Sequence, residues 1–378
     1  MATLNGKKVR SVDEYLDALA RAKKSAVTLR DYRYILNDYA KFIGTPLEKL
    51  HENMNPDDVM RYADHLEGRA SVTRKKFLLT VSRFMKLNGC EFDTLELAVI
   101  TSSEPSENDS DPLTLDMAQK MMDSATPHTR AIISFMCSTG CRSGETSKLL
   151  LSDVGKIEHG KFKPDINGSV VNVRNTIAKG GRGGLVFLTE EAREYLTLWV
   201  RDRDEYIRVA DVKGQNLRKG STGRVKGAKH DGEKIFRPKN DQRLFACSYS
   251  TLAKLFREMY RLVDGKMDKY GRGSVVPHRC RAFFRTNASK TMGVDLAEGI
   301  LRHSGYLNQA YVRMTPEERQ SAFHAGEHVL YLTRPDHRIQ TSRLGKLEAE
   351  NKRLQKQVAE LKDMLMDALE SETISGKE

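Results

Sequence analysis

His278 and Arg281 stand three positions apart, and on a helix that spacing puts an imidazole and a guanidinium on one face. The guanidinium is a planar fork matched to phosphate. The imidazole donates to such an anion or moves a proton near neutral pH. His303 follows, and Tyr311 lies eight positions beyond it, all within the run from Pro277 to Arg313. A tyrosine beside a bound phosphate is a potential nucleophile. Spacing alone therefore supports a phosphate-binding site with a nearby Tyr. A His–Arg pair taken by itself is also what an ordinary polar helix face contains.

Two outlying segments add cationic chemistry. Ser138–Thr146 reads S-T-G-C-R-S-G-E-T after the apolar run Ala131–Met136. Gly140 permits a sharp turn, Arg142 then projects toward a phosphate, and Glu145 on the next turn can hold the guanidinium. R-x-x-E is commonplace as a surface ion pair, but here T-G precedes it and Leu149, Leu150, Leu151 and Asp153 follow. From Ser169 the hydrophobic period becomes two. Val170–Val173 and Leu185–Leu188 read as strands, with Asn175–Ile177 and the turn residues Gly180, Gly181, Gly183 and Gly184 between them. Lys179 sits on this turn with Arg182 nearby; on local grounds alone both are solvent-exposed turn cations.

Together these segments resemble the tyrosine recombinase (phage integrase) family. Its second signature box runs H-x-x-R, then L-G-H, then a Tyr. This chain has His278-x-x-Arg281, Leu301-Arg302-His303 and Tyr311, with Arg302 in place of the usual Gly and the last gap one residue short. Ala310–Glu318 resembles the Y-x-R-x-T-x-E-E run of archaeal and archaeal-virus integrases, which makes the short gap a subgroup trait. Thr139–Glu145 is similar to the family's first box, T-G-hydrophobic-R-x-x-E, and Lys179-Gly180 to its K-G dipeptide. The resemblance covers about residues 8–335.

It implies a role for each residue. Arg142 and Arg281 clamp the scissile phosphate, and Glu145 orients Arg142. Tyr311 is the nucleophile and forms a 3′-phosphotyrosine link to DNA. Lys179, with Arg182 as the lesser candidate, protonates the leaving 5′ oxygen. His278 assists proton transfer from the tyrosine, and His303 hydrogen-bonds the phosphate. Tyr306 is too close to His303 to match the pattern, and Tyr331 lies far into the next helix, where packing is its expected role. Guanidinium and ammonium groups supply the positive charge, so no metal and no other cofactor is expected. The implied partners are double-stranded DNA and further copies of the chain, in a tetramer that brings two duplexes together.

The elements that must position these residues follow from periodicity. Ser11–Asn88 reads as four helices: capping boxes at Ser11/Glu14 and Thr28/Asp31, an Asn55 cap with Pro56 behind it, and a fourth helix opened by Ser71. Tyr15, Leu16, Ile35, Leu36, Tyr39, Val59, Phe77, Leu78, Val81 and Phe84 fall at inward spacing. Arg74, Lys75, Lys76, Arg83 and Lys86 form a basic face on the fourth helix, either touching phosphates or simply solvated. The expected fold is mainly α with a small β-hairpin or sheet. A helical core-binding, SAM-like domain spans 8–100, a polar linker 101–112, and a mixed α+β catalytic domain 113–335. A helix from Thr189 through Trp199 follows the strands. Lys213–Lys239, which includes Arg224 and Lys226, is Gly-rich and basic and reads as a flexible loop, lying along phosphates or merely solubilising. Ser248 caps a helix with Leu252, Leu255, Phe256, Met259 and Leu262 inward, and another helix runs from about Pro316 to Leu332. Leu344, Leu347, Asn351, Leu354, Val358, Leu361, Leu365 and Ala368 alternate at three- and four-residue steps, so 342–370 reads as a coiled-coil helix for self-association.

Composition sets outer limits. Lys plus Arg outnumber Asp plus Glu, 63 to 51, for a net charge of +12 over 378 residues. That favours a polyanionic partner, or else only aids solubility. The 5 cysteines are scattered among apolar neighbours, as reduced thiols are. Cys137 and Cys141 share a predicted helix but lack a second ligand pair for zinc. No apolar run approaches a bilayer span of ~20 residues, and Met1–Lys8 has no hydrophobic signal core. The expectation is a cytoplasmic, nucleoid-associated protein of a prokaryotic host. The leading reading is an integrase of a mobile element, such as a virus or plasmid. A type IB topoisomerase or telomere resolvase would share its chemistry. A non-cleaving architectural DNA-binding protein is the reading from another class. A leucine-zipper transcription factor needs a denser basic region ahead of Leu344 than Arg334, His337, Arg338, Arg343 and Lys346 provide.

Overall fold

The computed structural model describes residues 3–4, 7–8, 10–90, 112–219, 241–263, 276–303 and 314–333, with side chains in these ranges from 10 onward except 210–219. Tyr306, Tyr311, Arg224, Lys226, the linker 101–111 and the heptad segment 342–370 lie outside the described residues. The chain divides into two compact units, Met1–Asp109 and Ser110–Glu378.

In the first unit, β1 (Thr3–Leu4) pairs antiparallel with β2 (Lys7–Lys8). Four helices follow: α1 (Val12–Arg21), α2 (Ala26–Phe42), α3 (Pro56–His65) and α4 (Ser71–Leu87). Ser11 and Glu14 close a reciprocal capping box on α1, and the Asn55 side chain caps α3 with Pro56 behind it. The Thr28/Asp31 box is corrected: Ser25 is the N-cap of α2, its Oγ accepting from Thr28 N at 3.1 Å, and Thr28 is already inside the helix. The core is aromatic. Tyr39 and Tyr62 meet edge-on at 5.0 Å, and Leu36, Leu78, Val81 and Phe84 fill the space around them. The Tyr62 hydroxyl stays satisfied by donating to Asp38 Oδ2 at 2.6 Å.

In the second unit, α5 (Leu115–Ser124) and α6 (Pro127–Thr139) lead to a short helix α7 (Ser143–Thr146). Every residue of α6 from Ala131 to Thr139 is buried. Cys141 is off this helix, beyond its C-cap at Gly140, so Cys137 and Cys141 do not share it as predicted. Strand structure begins earlier than Ser169. Four antiparallel strands, β3 (Val154–Glu158), β4 (Lys161–Pro164), β5 (Val170–Val173) and β6 (Gly184–Phe187), pair in the order β4-β3-β5-β6. Val171 faces Val154 on one side and Val186 on the other, which places β5 centrally.

α8 (Glu190–Lys219) runs far beyond Trp199, so the loop expected from Lys213 is helix as far as Lys219. Its Trp199 Nε1 donates to Leu244 O at 2.9 Å. α9 (Tyr249–Val263) buries Leu252, Phe256, Met259 and Tyr260, but Leu262, expected inward, is 67% exposed. α10 (His278–Met292), α11 (Val294–Leu301) and α12 (Pro316–Gly326) complete the unit, followed by a 3-10 turn over Glu327–Leu330. All five cysteines are buried, and none forms a disulfide. Among the described residues no helix is long and apolar enough to cross a membrane.

Candidate active site

The site is assembled where α6 stops. Gly140 takes the left-handed conformation (φ 61°) that ends this helix, and its backbone lies against α10 and α11. A Cβ there would sit 2.5 Å from Leu301 Cδ2 and 3.0 Å from Phe284 Cδ1, so glycine is demanded by both backbone and space. The carbonyl this turn exposes accepts from Arg281 Nη1 at 2.6 Å, and Arg281 Nη2 donates to Leu301 O. One guanidinium from α10 thereby ties the end of α6 to the end of α11. Arg281 is 3% exposed. Burial, then the charges of Arg142 and Arg302, push its pKa down to about 10, which still leaves a cation at neutral pH.

Glu145 is the anion of the cluster. It is 2% exposed and its two oxygens receive four donors. Oε1 takes Arg142 Nη1 at 3.0 Å and the Lys179 backbone N–H at 3.5 Å. Oε2 takes the Arg142 backbone N–H at 3.0 Å and Arg302 Nη2 at 2.6 Å. Burial pushes the carboxyl up, but the Arg302 charge and the Arg142 hydrogen bonds outweigh it and hold Glu145 below its ordinary range. Arg142, Arg281 and Arg302 against Glu145 make three cations less one anion, leaving two positive charges. A buried excess of that kind is relieved by an incoming anion.

The histidines lie beside this cluster. His278 is exposed at the first turn of α10, on the helix that buries Arg281. Partial desolvation, then the charges of Arg281, Arg142, Arg279 and His303, hold its imidazole below the ordinary value, so the neutral, proton-accepting form prevails at pH 7. His303 Nδ1 donates to Glu298 Oε2, and the other oxygen of Glu298 takes Arg285 Nε. This fixes the His303 ring and leaves Nε2 for an incoming group. Nε2 can donate to a phosphate only in the imidazolium form. Lys179 and Arg182 are both exposed, on and just after the 3-10 turn Lys179–Gly181 between β5 and β6.

Arg142, Glu145, Arg281, His278 and His303 are thus brought together with the Lys179 turn. Tyr331, a rival to Tyr311 on sequence grounds, donates its hydroxyl to Glu327 Oε1 at 2.9 Å, which suits packing. In the first unit Lys75, Lys76 and Arg83 are exposed and Arg74 is half-buried. Lys76 already pairs with Asp31 at 2.7 Å and Arg83 with the Tyr32 hydroxyl at 3.3 Å. Among the described residues no group of three or more His, Cys, Asp or Glu could hold a metal. In the sequence Arg302 stands out only as a departure from a motif, and Glu298 does not stand out at all. The signal for Arg302 was a large cation where the motif wants Gly; nothing local marked Glu298.

Residues 12–87, essentially α1–α4, match the family model of the phage integrase N-terminal SAM-like domain. No curated protein matches the chain by sequence. Among solved structures, it superposes on a lambda integrase dimer bound to a COC′ core site with a TM-score of 0.50 at 16% identity, covering 80% of this chain and 76% of that one. A lambda integrase tetramer bound to a Holliday junction gives 0.50 at 17% identity, covering 82% and 76%. The chain shares the fold of these lambda integrase structures over at least 80% of its length. Within that fold, the Arg142 turn, the Lys179 turn and the α10–α11 corner belong to the second unit, and the SAM-like bundle is the first.

Proposed function

We propose that this protein is a site-specific DNA recombinase that cuts and rejoins strands through a 3′-phosphotyrosine, serving integration or excision of a mobile element. The observation that carries this reading is the Arg281 guanidinium, which joins Gly140 O to Leu301 O and so builds the two separate sequence boxes into one buried cationic site. Such a site suits a phosphodiester, whose displacement spreads negative charge over the non-bridging oxygens. Arg142 and Arg281 would hold those oxygens. Tyr311 Oη would attack phosphorus as the bond to the 5′ oxygen breaks. His278, held neutral, would take up the phenolic proton, and Lys179 would supply one to the departing oxygen. The phosphotyrosine keeps the bond energy, so the 5′-hydroxyl of a partner strand can displace the tyrosine without ATP. Two rounds of exchange in a tetramer would recombine two duplexes.

The test is covalent capture. Wild type and Tyr311→Phe are incubated, without divalent metal, with a nicked duplex carrying the protein's own attachment sequence. The expected result is a denaturant-resistant protein–DNA band with wild type and none with the Phe variant. A band that survives in the variant moves the nucleophile to Tyr306 or Tyr331. Binding without any band overturns the reading in favour of an architectural DNA-binding protein.

A further inference from the structure

Arg302 occupies its position against three ordinary preferences. Its backbone is left-handed (φ 57°), where glycine is the natural occupant. Its side chain is only 6% exposed. Two of its three guanidinium nitrogens, Nε and Nη1, are buried with no nitrogen or oxygen partner, and the guanidinium lies beside the buried Cys141 thiol. Strain and unpaired buried polar atoms in one residue are the marks of a side chain kept for its chemistry rather than for stability.

The remaining nitrogen shows what that chemistry is. Nη2 reaches Glu145 Oε2 at 2.6 Å, and Glu145 in turn holds both the guanidinium and the backbone N–H of Arg142. Removing Arg302 would leave Oε2, buried from water, with one neutral donor in place of an ion pair. The carboxylate would then have reason to turn, carrying Arg142 with it. The Arg302 stem is itself seated against the start of β6: a Cβ on Gly184 would lie 3.5 Å from Arg302 Cδ.

We infer that Arg302 is a positioning residue, acting through the shared Glu145 carboxylate to fix Arg142 for the scissile phosphate. This rests on the recombinase reading and adds a residue to it. The structure also offers a rival route, since Glu145 touches the Lys179 backbone as well, at 3.5 Å.

A double-mutant cycle on the full-length protein separates these. Single-turnover adduct formation on the nicked duplex is measured for wild type, Arg302→Gly, Arg142→Lys and the double variant, alongside DNA affinity and thermal unfolding. Arg302→Gly should slow adduct formation roughly tenfold or more, the scale of a misplaced catalytic group, with DNA affinity unchanged. Arg302→Lys, which keeps the charge, should recover part of that loss. In the Arg142→Lys background the Arg302→Gly effect should shrink to about twofold or less, because coupled residues do not add. Additive effects overturn the inference, as does an Arg302→Gly protein as fast as wild type. An effect that vanishes in Lys179→Ala but persists in Arg142→Lys overturns it in favour of the turn. If neither Arg302 variant unfolds cooperatively, the residue is structural and the inference fails. Absence of any adduct with wild type instead marks failure of the underlying recombinase reading.

Discussion

At the residue scale the site is a problem of crowded positive charge. Two guanidiniums share one carboxylate with a third beside them, and His278 feels Arg281, Arg142, Arg279 and His303 together. Partial desolvation and these cations resist a further proton, so His278 in the folded protein should titrate below its ordinary 6.5. The unfolded chain takes up that proton at higher pH than the folded one does. Stability from this residue is therefore lost as pH falls below about 6.5 and recovered above it. NMR titration of the His278 imidazole should give a midpoint under 6.5, and Arg142→Ala, by removing one neighbour, should move it upward. Inorganic phosphate should raise it as well, since an anion in the site offsets the same charges. A midpoint at 6.5 or above in the free protein, unmoved by Arg142→Ala, would remove His278 from the cluster and from the role of proton acceptor.

At the element scale the question is what lets distant segments meet, and the answer is the end of α6. Arg142 and Glu145 were legible in the sequence because i, i+3 partners are local. The contacts that build the site were not: Arg302 reaches Glu145 across 157 positions, and Arg281 reaches Gly140 across 141. The helices with side-chain caps at Ser11 and Asn55 could be read from sequence for the same local reason. β3 and β4 could not. Lys156, Glu158, Lys161 and Lys163 interrupt any apolar alternation there, and Glu158 instead links Lys156 at 2.9 Å and Lys163 at 2.5 Å on an edge hairpin. α8 outran its predicted end because, in the stretch Lys213–Lys219, only Gly214 disfavours helix; Gln, Asn, Leu, Arg and Lys tolerate or favour it. Gly140 shows how closely an element end and the site depend on each other. Gly140→Ala would force a Cβ into the left-handed region and into Leu301 and Phe284, at a cost of about 2–4 kcal/mol. Urea unfolding should show that loss. Adduct formation should fall with it, because the displaced carbonyl is the one that Arg281 Nη1 holds. An alanine variant as stable and as fast as wild type would mean that this turn is not what anchors Arg281.

At the scale of the whole molecule, chemistry at one phosphate is not yet recombination, which needs several active sites held together on two duplexes. The heptad series from Leu344 to Ala368 is the part of the sequence suited to that task. Leu347, Leu354 and Leu361 recur at seven-residue steps, and Asn351 stands at the alternate core position, where a buried amide favours a parallel, in-register pair. This segment lies outside the described residues, so its pairing is an expectation of the sequence. Leu354→Pro tests it at one point: proline inside a helix removes a hydrogen bond and clashes with the preceding turn, at a cost of about 3 kcal/mol or more. By analytical ultracentrifugation the wild-type protein should sediment as a dimer and the variant as a monomer. Cleavage of a single nicked site, which needs one complete catalytic unit, should be kept, while joining of strands from two separate duplexes should drop. If the variant sediments as wild type does, the heptad helix packs against its own chain and assembly rests on the catalytic units alone. If single-site cleavage falls along with sedimentation, the tail contributes to the active site itself, and the division of labour between chemistry and assembly would have to be redrawn.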